Sequence, residues 1–182
     1  VGLLAAGLLV WQGSYAAFTA TTSNNADPWS TGNLALTNNG GNGATYSDPT
    51  TATFGGTALT PGSTKTQCLT VKSAGSLAGS LKMYMSSLTD STSSPTLGSQ
   101  INLVVTAAPT TNDISTGCTN FPTTGTTPVY TGSLTDFPAT YLAAGGAVAV
   151  ASGTQKIAYQ VSWTVNSNAT NALQGQTATA AF

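Results

Sequence analysis

The chain has 182 residues, 40% of them hydrophobic, and its only ionisable acids and bases are four Lys and five Asp, with no Arg, Glu or His. That length and apolar content support one domain, or one domain with an arm. Four lysines cannot build the basic stripe that nucleic acid requires or a polybasic membrane patch, and without His or Glu there is neither a His-based triad nor an HExxH zinc site.

In chain order the first element is Val1–Phe18, VGLLAAGLLVWQGSYAAF, and no Lys or Asp appears before Asp27. The run fits a secretory h-region, with Ser14-Tyr15-Ala16 as a small-x-small site. A start at Val1 instead of Met reads as prior removal of an upstream piece. As a helix, Val1–Trp11 rises about 16 Å, short of a bilayer core of about 30 Å. As a strand it reaches about 36 Å, enough to cross a sandwich domain. Leu4, Leu8, Trp11, Tyr15 and Phe18 share a helical stripe. At period two, Val1, Leu3, Ala5, Leu9 and Trp11 face one way and Leu4, Ala6, Leu8 and Val10 the other. A strand apolar on both faces suits a fully buried position. The expectation is an arm donated to a neighbouring copy, through Val1, Leu3, Leu4, Leu8, Leu9, Val10, Trp11, Tyr15 and Phe18. An inter-subunit packing helix and a membrane stub are the alternatives.

Thr19–Ser30 is polar, carries Asp27-Pro28, and reads as a linker; residues 31–182 read as the domain. Thr, Ser, Gly, Asn and Ala dominate it, and the residues that usually clothe helix surfaces are scarce. Gly32–Thr37 predicts a strand with Leu34 and Leu36 on one face, and Asn38–Asp48 a loop. Thr51–Leu59 alternates weakly, with Gly55-Gly56 as a break. Thr60-Pro61-Gly62 is a turn. Lys65–Ser73 predicts a strand with either Leu69 and Val71 or Cys68 and Thr70 inward. Leu81, Met83 and Met85 form another alternating set, Ser86–Ser99 reads as loop, and Ile101, Leu103 and Val105 face inward from the next strand. Ala107–Thr127 is an irregular excursion. Val129–Leu134 and Ala147–Ala151 are short strands, and Tyr141–Gly146 holds at most one helical turn. In Lys156–Val165 the residues Ile157, Tyr159, Val161, Trp163 and Val165 alternate with polar or small ones, which fixes the register firmly. Thr177–Phe182 is an edge or pairing strand. Eight or nine short strands predict an all-β antiparallel sandwich or jelly roll.

Cys68 and Cys118 are an even count beside a secretion-like arm, which favours one disulfide closing a loop of about fifty residues. Two buried thiols are the alternative. A metal pair is disfavoured, since no His or CxxC accompanies them. Asp27, Asp48, Asp90, Asp113 and Asp136 are dispersed, without EF-hand spacing, and read as turn or cap residues. Asn168-Ala169-Thr170 fits a glycosylation sequon but reads as a turn. Tyr159 and Trp163 read as core more than as a sugar platform, and Trp11 and Trp29 as candidates for interface aromatics. No cofactor is expected.

Several short motifs occur in a shared order: GSYAAF at Gly13–Phe18; Trp29-Ser30-Thr31-Gly32-Asn33-Leu34-Ala35-Leu36; Leu59-Thr60-Pro61-Gly62-Ser63 ahead of Cys68-Leu69-Thr70-Val71; Gly75-Ser76-Leu77-Ala78 ahead of Leu81-Lys82-Met83-Tyr84; Tyr159-Gln160-Val161-Ser162-Trp163; and Asn171-Ala172-Leu173-Gln174-Gly175. This order resembles the TasA/camelysin-like secreted proteins, in an actinobacterial form, and covers most of the chain. The resemblance implies a jelly-roll subunit of extracellular biofilm fibres, secreted through a dedicated signal peptidase. It also implies that the N-terminal segment of one copy completes the sheet of the next. In that family the hydrophobic run ahead of the AAF-like motif is usually the signal h-region, removed near that motif; here Val1–Ala17 reads as retained, a departure that leaves the processing site open and makes the expected donated segment longer and more apolar than the resemblance implies. Part of the camelysin branch is described as proteolytic, yet no motif here singles out a nucleophile. A non-enzymatic, self-polymerising fibre subunit is therefore expected, its partner being another copy. A surface or adhesion domain tethered to membrane or wall by the arm is the rival, and a hydrolase or carbohydrate-binding module a distant third.

Overall fold

The computed structural model describes residues 33–47 and 54–182, all within the unit Gly32–Phe182. Nine strands lie among them: β1 Leu34–Asn38, β2 Thr64–Gly75, β3 Gly79–Leu81, β4 Ser87–Asp90, β5 Ile101–Thr110, β6 Thr127–Ser133, β7 Val148–Val150, β8 Gln155–Val165 and β9 Ala178–Ala181. Every pairing between them is antiparallel. A five-stranded sheet runs in the order β1-β2-β8-β5-β6, and two ribbons, β3-β7 and β4-β9, make up the rest. The fold is thus the expected all-β, sandwich-like antiparallel architecture.

The alternation in β8 dictates the layering. Ile157, Tyr159, Val161, Trp163 and Val165 are all buried on one face. Their register neighbours continue that face outward: Leu69 opposes Tyr159 on β2, while Leu103 opposes Trp163 and Val105 opposes Val161 on β5. These side chains form the main core together with Leu81, Val148 and Val150 of the β3-β7 ribbon and, packed beside them, Leu88, Ala178 and Ala180 of β4-β9. A pair of ribbons therefore packs on part of one face of the large sheet.

The opposite face of the large sheet carries a second, smaller cluster. Cys68 and Ala158 are fully buried there with Ile114, and Cys118 and Phe121 pack against them. The two inward registers that the sequence permits for β2 are both real, because the core covers Leu69 and the excursion covers Cys68 and Thr70. Cys68 and Cys118 are disulfide-bonded, with Cα atoms 5.1 Å apart. Asn39 locks the same region. Its Nδ2 donates to the carbonyls of Gly43 and Ile114, and its Oδ1 accepts from the N–H groups of Gly41 and Thr70. Gly41 holds φ +74°, and a Cβ there would lie 3.0 Å from the Cys68 carbonyl, so a side chain would be both strained and crowded.

Several expectations need correction. Ser86–Ser99 is not simply loop, since it contains β4 and opens the 3-10 turn Gly98–Gln100. Ser/Thr content masked this strand, whose apolar residues are limited to Leu88. The strand expected through Leu81, Met83 and Met85 stops at Leu81, although Met85 is still buried. Phe54–Leu59 forms bends and not a strand, while residues 48–53 lie outside the described part. Leu34 and Leu36 share a strand face as expected, yet they are 45% and 42% exposed. The excursion begins four residues later than expected, because β5 runs through Pro109 to Thr110. At Tyr141–Gly146 one helical bond is present, Ala144 N–H to Thr140 O at 3.0 Å.

Candidate functional site

The nine arm positions, from Val1 to Phe18, lie outside the described residues, as does Trp29. What the described residues do show is a groove at one end of the large sheet. A groove of about 870 Å³ opens between the core face of the large sheet and the chain around β9. Its floor is Ile101, Leu103, Val161, Trp163 and Val165; its walls are residues 54–61 on one side and 170–182 on the other. Among the described residues no Lys or Asp lines it. Floor and walls are thus almost wholly neutral, and apolar at the base.

Each wall is held by its own bonds. Gly62 N–H donates to Val165 O at 3.1 Å and Val165 N–H to Ser63 O at 2.8 Å, so the turn at Thr60-Pro61-Gly62 is stitched to the end of β8. Gly62 has φ +82°, the left-handed conformation for which its sequence was read as a turn. Gln67 Oε1 accepts from Gly55 N–H at 3.1 Å and from the Trp163 indole at 3.4 Å, tying the first wall to the floor. A Cβ on Gly56 would lie 2.8 Å from Trp163 and from Leu59, so this residue lets the wall rest directly on the floor. On the other side, Gln176 Nε2 donates to Pro95 O and Ala172 O, fixing the loop that leads into β9. Phe182 closes that wall edge-on against Phe137, with ring centroids 5.0 Å apart.

The position of the groove along the sheet matters. β1 starts opposite the last residue of β2, Leu34 facing Gly75. The groove sits by the first residues of β2, where Thr64 faces Thr164 and Val165 faces Ile101. Twelve residues of strand, about 36 Å at about 3.3 Å each, separate the two ends. The chain that leads in from the N-terminal side therefore enters the domain at one end, and the groove opens at the other.

A second cluster gathers three of the charges. Lys156 Nζ stands 2.7 Å from Asp113 Oδ1, the Tyr46 hydroxyl donates to the same oxygen, and Lys72 Nζ lies 4.5 Å above the Tyr46 ring. Lys156 holds the Asp113 carboxyl below its ordinary value, helped by the Tyr46 hydroxyl. Burial, then Asp113, pushes the Tyr46 phenol up. Carboxylate and phenol are each locked in their ordinary ionisation state, so the cluster activates no nucleophile; it clamps the excursion to the sheet. Asp113 is thus an ion-pair residue and not the turn or cap residue expected. Asp90 does match that expectation, its carboxylate accepting from Ser91 and Gly98 N–H. Among the described residues no group of three His, Cys, Asp or Glu comes together that could hold a metal ion.

Sequence reasoning missed the groove walls. Two of the short motifs, Leu59–Ser63 and Asn171–Gly175, fall in them, but nothing in the sequence says that they face one another. No family model matches the chain, and no curated protein matches it.

Proposed function

We propose that the protein is a structural subunit of an extracellular filament, each copy lending its apolar arm, Val1–Phe18, to the groove of the next. The observation that carries this reading is the placement of an uncharged, apolar-floored groove at the end of the sheet opposite the point where the N-terminal chain enters. An arm received by a different surface of the next copy makes a head-to-tail contact, which propagates instead of closing into a dimer. A strand from another chain brings backbone groups for a free edge and side chains for the groove. The all-β fold, the disulfide and the near-neutral net charge of −1 agree with a secreted protein made to assemble. The motif order that resembles the TasA/camelysin-like proteins points the same way.

Deleting Val1–Trp11 tests it. The truncated domain is expected to keep its β-sheet spectrum and cooperative melt yet sediment as a monomer, with no filaments by negative-stain microscopy. Filaments from the truncated chain would sink the reading, and a full-length protein that stays monomeric and needs detergent to remain in solution would favour the tethered-domain alternative.

A further inference from the structure

We infer that the acceptor within this groove is the free edge of β9, and that the incoming arm adds to it as the third strand of the β4-β9 ribbon. The inference rests on the filament reading above and specifies which backbone atoms make the joint. β4 and β9 pair from Ser87 opposite Ala181 to Asp90 opposite Ala178. Just beyond that ladder Ser91 N–H donates to Thr177 O at 3.1 Å, and at its other end Ser86 N–H donates to Ala181 O at 2.7 Å. Residues 177 and 181 therefore both point their backbone groups at β4. Antiparallel ladders alternate between bonded and non-bonded pairs, so Thr179 points the same way, and Ala178 and Ala180 point theirs outward. Among the described residues β9 pairs with no strand but β4.

That outward edge faces the groove. Ala178, Thr179 and Ala180 line it, and no residue of β4 does. A strand bonded to Ala178 and Ala180 would run along the groove, beside the buried floor residues Leu103, Val161, Trp163 and Val165. The side chains of Ala178 and Ala180 are small and turned toward the core, so they leave room for larger neighbours from the arm. The occupant is Val1–Phe18 of a second copy. It is uncharged like the groove, apolar on both strand faces, and about 36 Å long over its first eleven residues when extended.

Ala180→Pro separates this edge from its alternatives. Proline removes one outward N–H and leaves the β4 ladder intact, a placement that edge strands tolerate. The expected result is a domain that melts as the wild type does but whose critical concentration for assembly rises about ten-fold or more, the loss of one backbone bond and a clash with the incoming strand. Filaments at the wild-type concentration would overturn the β9 assignment; if Val1–Trp11 deletion still abolished them, arm donation itself would stand. Should Ala180→Pro fail to fold, amide exchange decides. The Ala178 and Ala180 amides are expected to exchange freely in the truncated domain and to be protected in wild-type filaments, and free exchange in both would overturn the assignment.

Discussion

Removing the disulfide is the perturbation whose size can be worked most directly. Cys68–Cys118 spans 50 residues of sequence and holds the excursion against the outer face of the large sheet. In the chain-entropy model a closed loop of that length restricts the unfolded chain by about 4 kcal/mol at 25 °C. Cys68 is also fully buried beside Ile114 and Ala158, so Cys68→Ala with Cys118→Ala loses packing as well. Taking a urea slope of about 2 kcal/mol per molar, the midpoint should fall by about 2 M relative to the oxidised protein. Wild type unfolded with reductant present should move almost as far. Exchange protection should drop first where the excursion meets the sheet, at the Thr116 amide that bonds Gly41 O and the Cys68 amide that bonds Thr116 O. The main core on the other face should stay protected until global unfolding. A midpoint shift below about 0.5 M, or protection lost uniformly, would refute the claim that this bond anchors one face.

Two further outcomes follow from buried polar groups. Asn39→Ala strands the Thr70 and Gly41 amides and the Ile114 and Gly43 carbonyls in a nearly waterless site, and should cost about 2–4 kcal/mol by urea titration, far more than an exposed Asn elsewhere. Tyr159 has its phenol pushed up to about 12 by burial. A raised folded value means stability is complete below the unfolded value near 10 and declines as pH climbs from there toward 12. Melting temperatures of wild type and Tyr159→Phe should therefore run parallel up to about pH 10, with wild type falling away above it; curves that stay parallel to pH 12 would contradict the assignment.

How far the fold could be read from the chain varied with what each face touches. β8 announced itself because five large residues at period two face a single core. β2 resisted a choice of face because two different bodies cover it, and alternation says only that one face is buried. β4 was invisible for the opposite reason: its sequence, Ser-Leu-Thr-Asp, is half-exposed and owes its strand to pairing with β9. The disulfide was legible because two cysteines leave one pairing. The groove was not, since its walls, residues 54–61 and 170–182, come from segments more than 100 residues apart in the chain. An apolar arm in search of a surface was the only hint.

That omission has a simple origin in strand lengths. β2, β5 and β8 have 12, 10 and 11 residues, whereas β3, β4, β7 and β9 have three or four. Two ribbons of such short strands cannot cover a sheet whose strands run about 36 Å. Exposed apolar residues remain at both ends: Phe182 at the groove, and Leu34, Leu36 and Leu77 at the other. A monomer meant to stay single would trim the long strands or extend the ribbons, because exposed apolar surface at an open edge invites association. Here the long sheet is kept, and in the filament proposed above an apolar segment of another copy would meet it. In that filament, stacking copies end to end along the strand direction would bring the leucine end of one toward the groove end of the next.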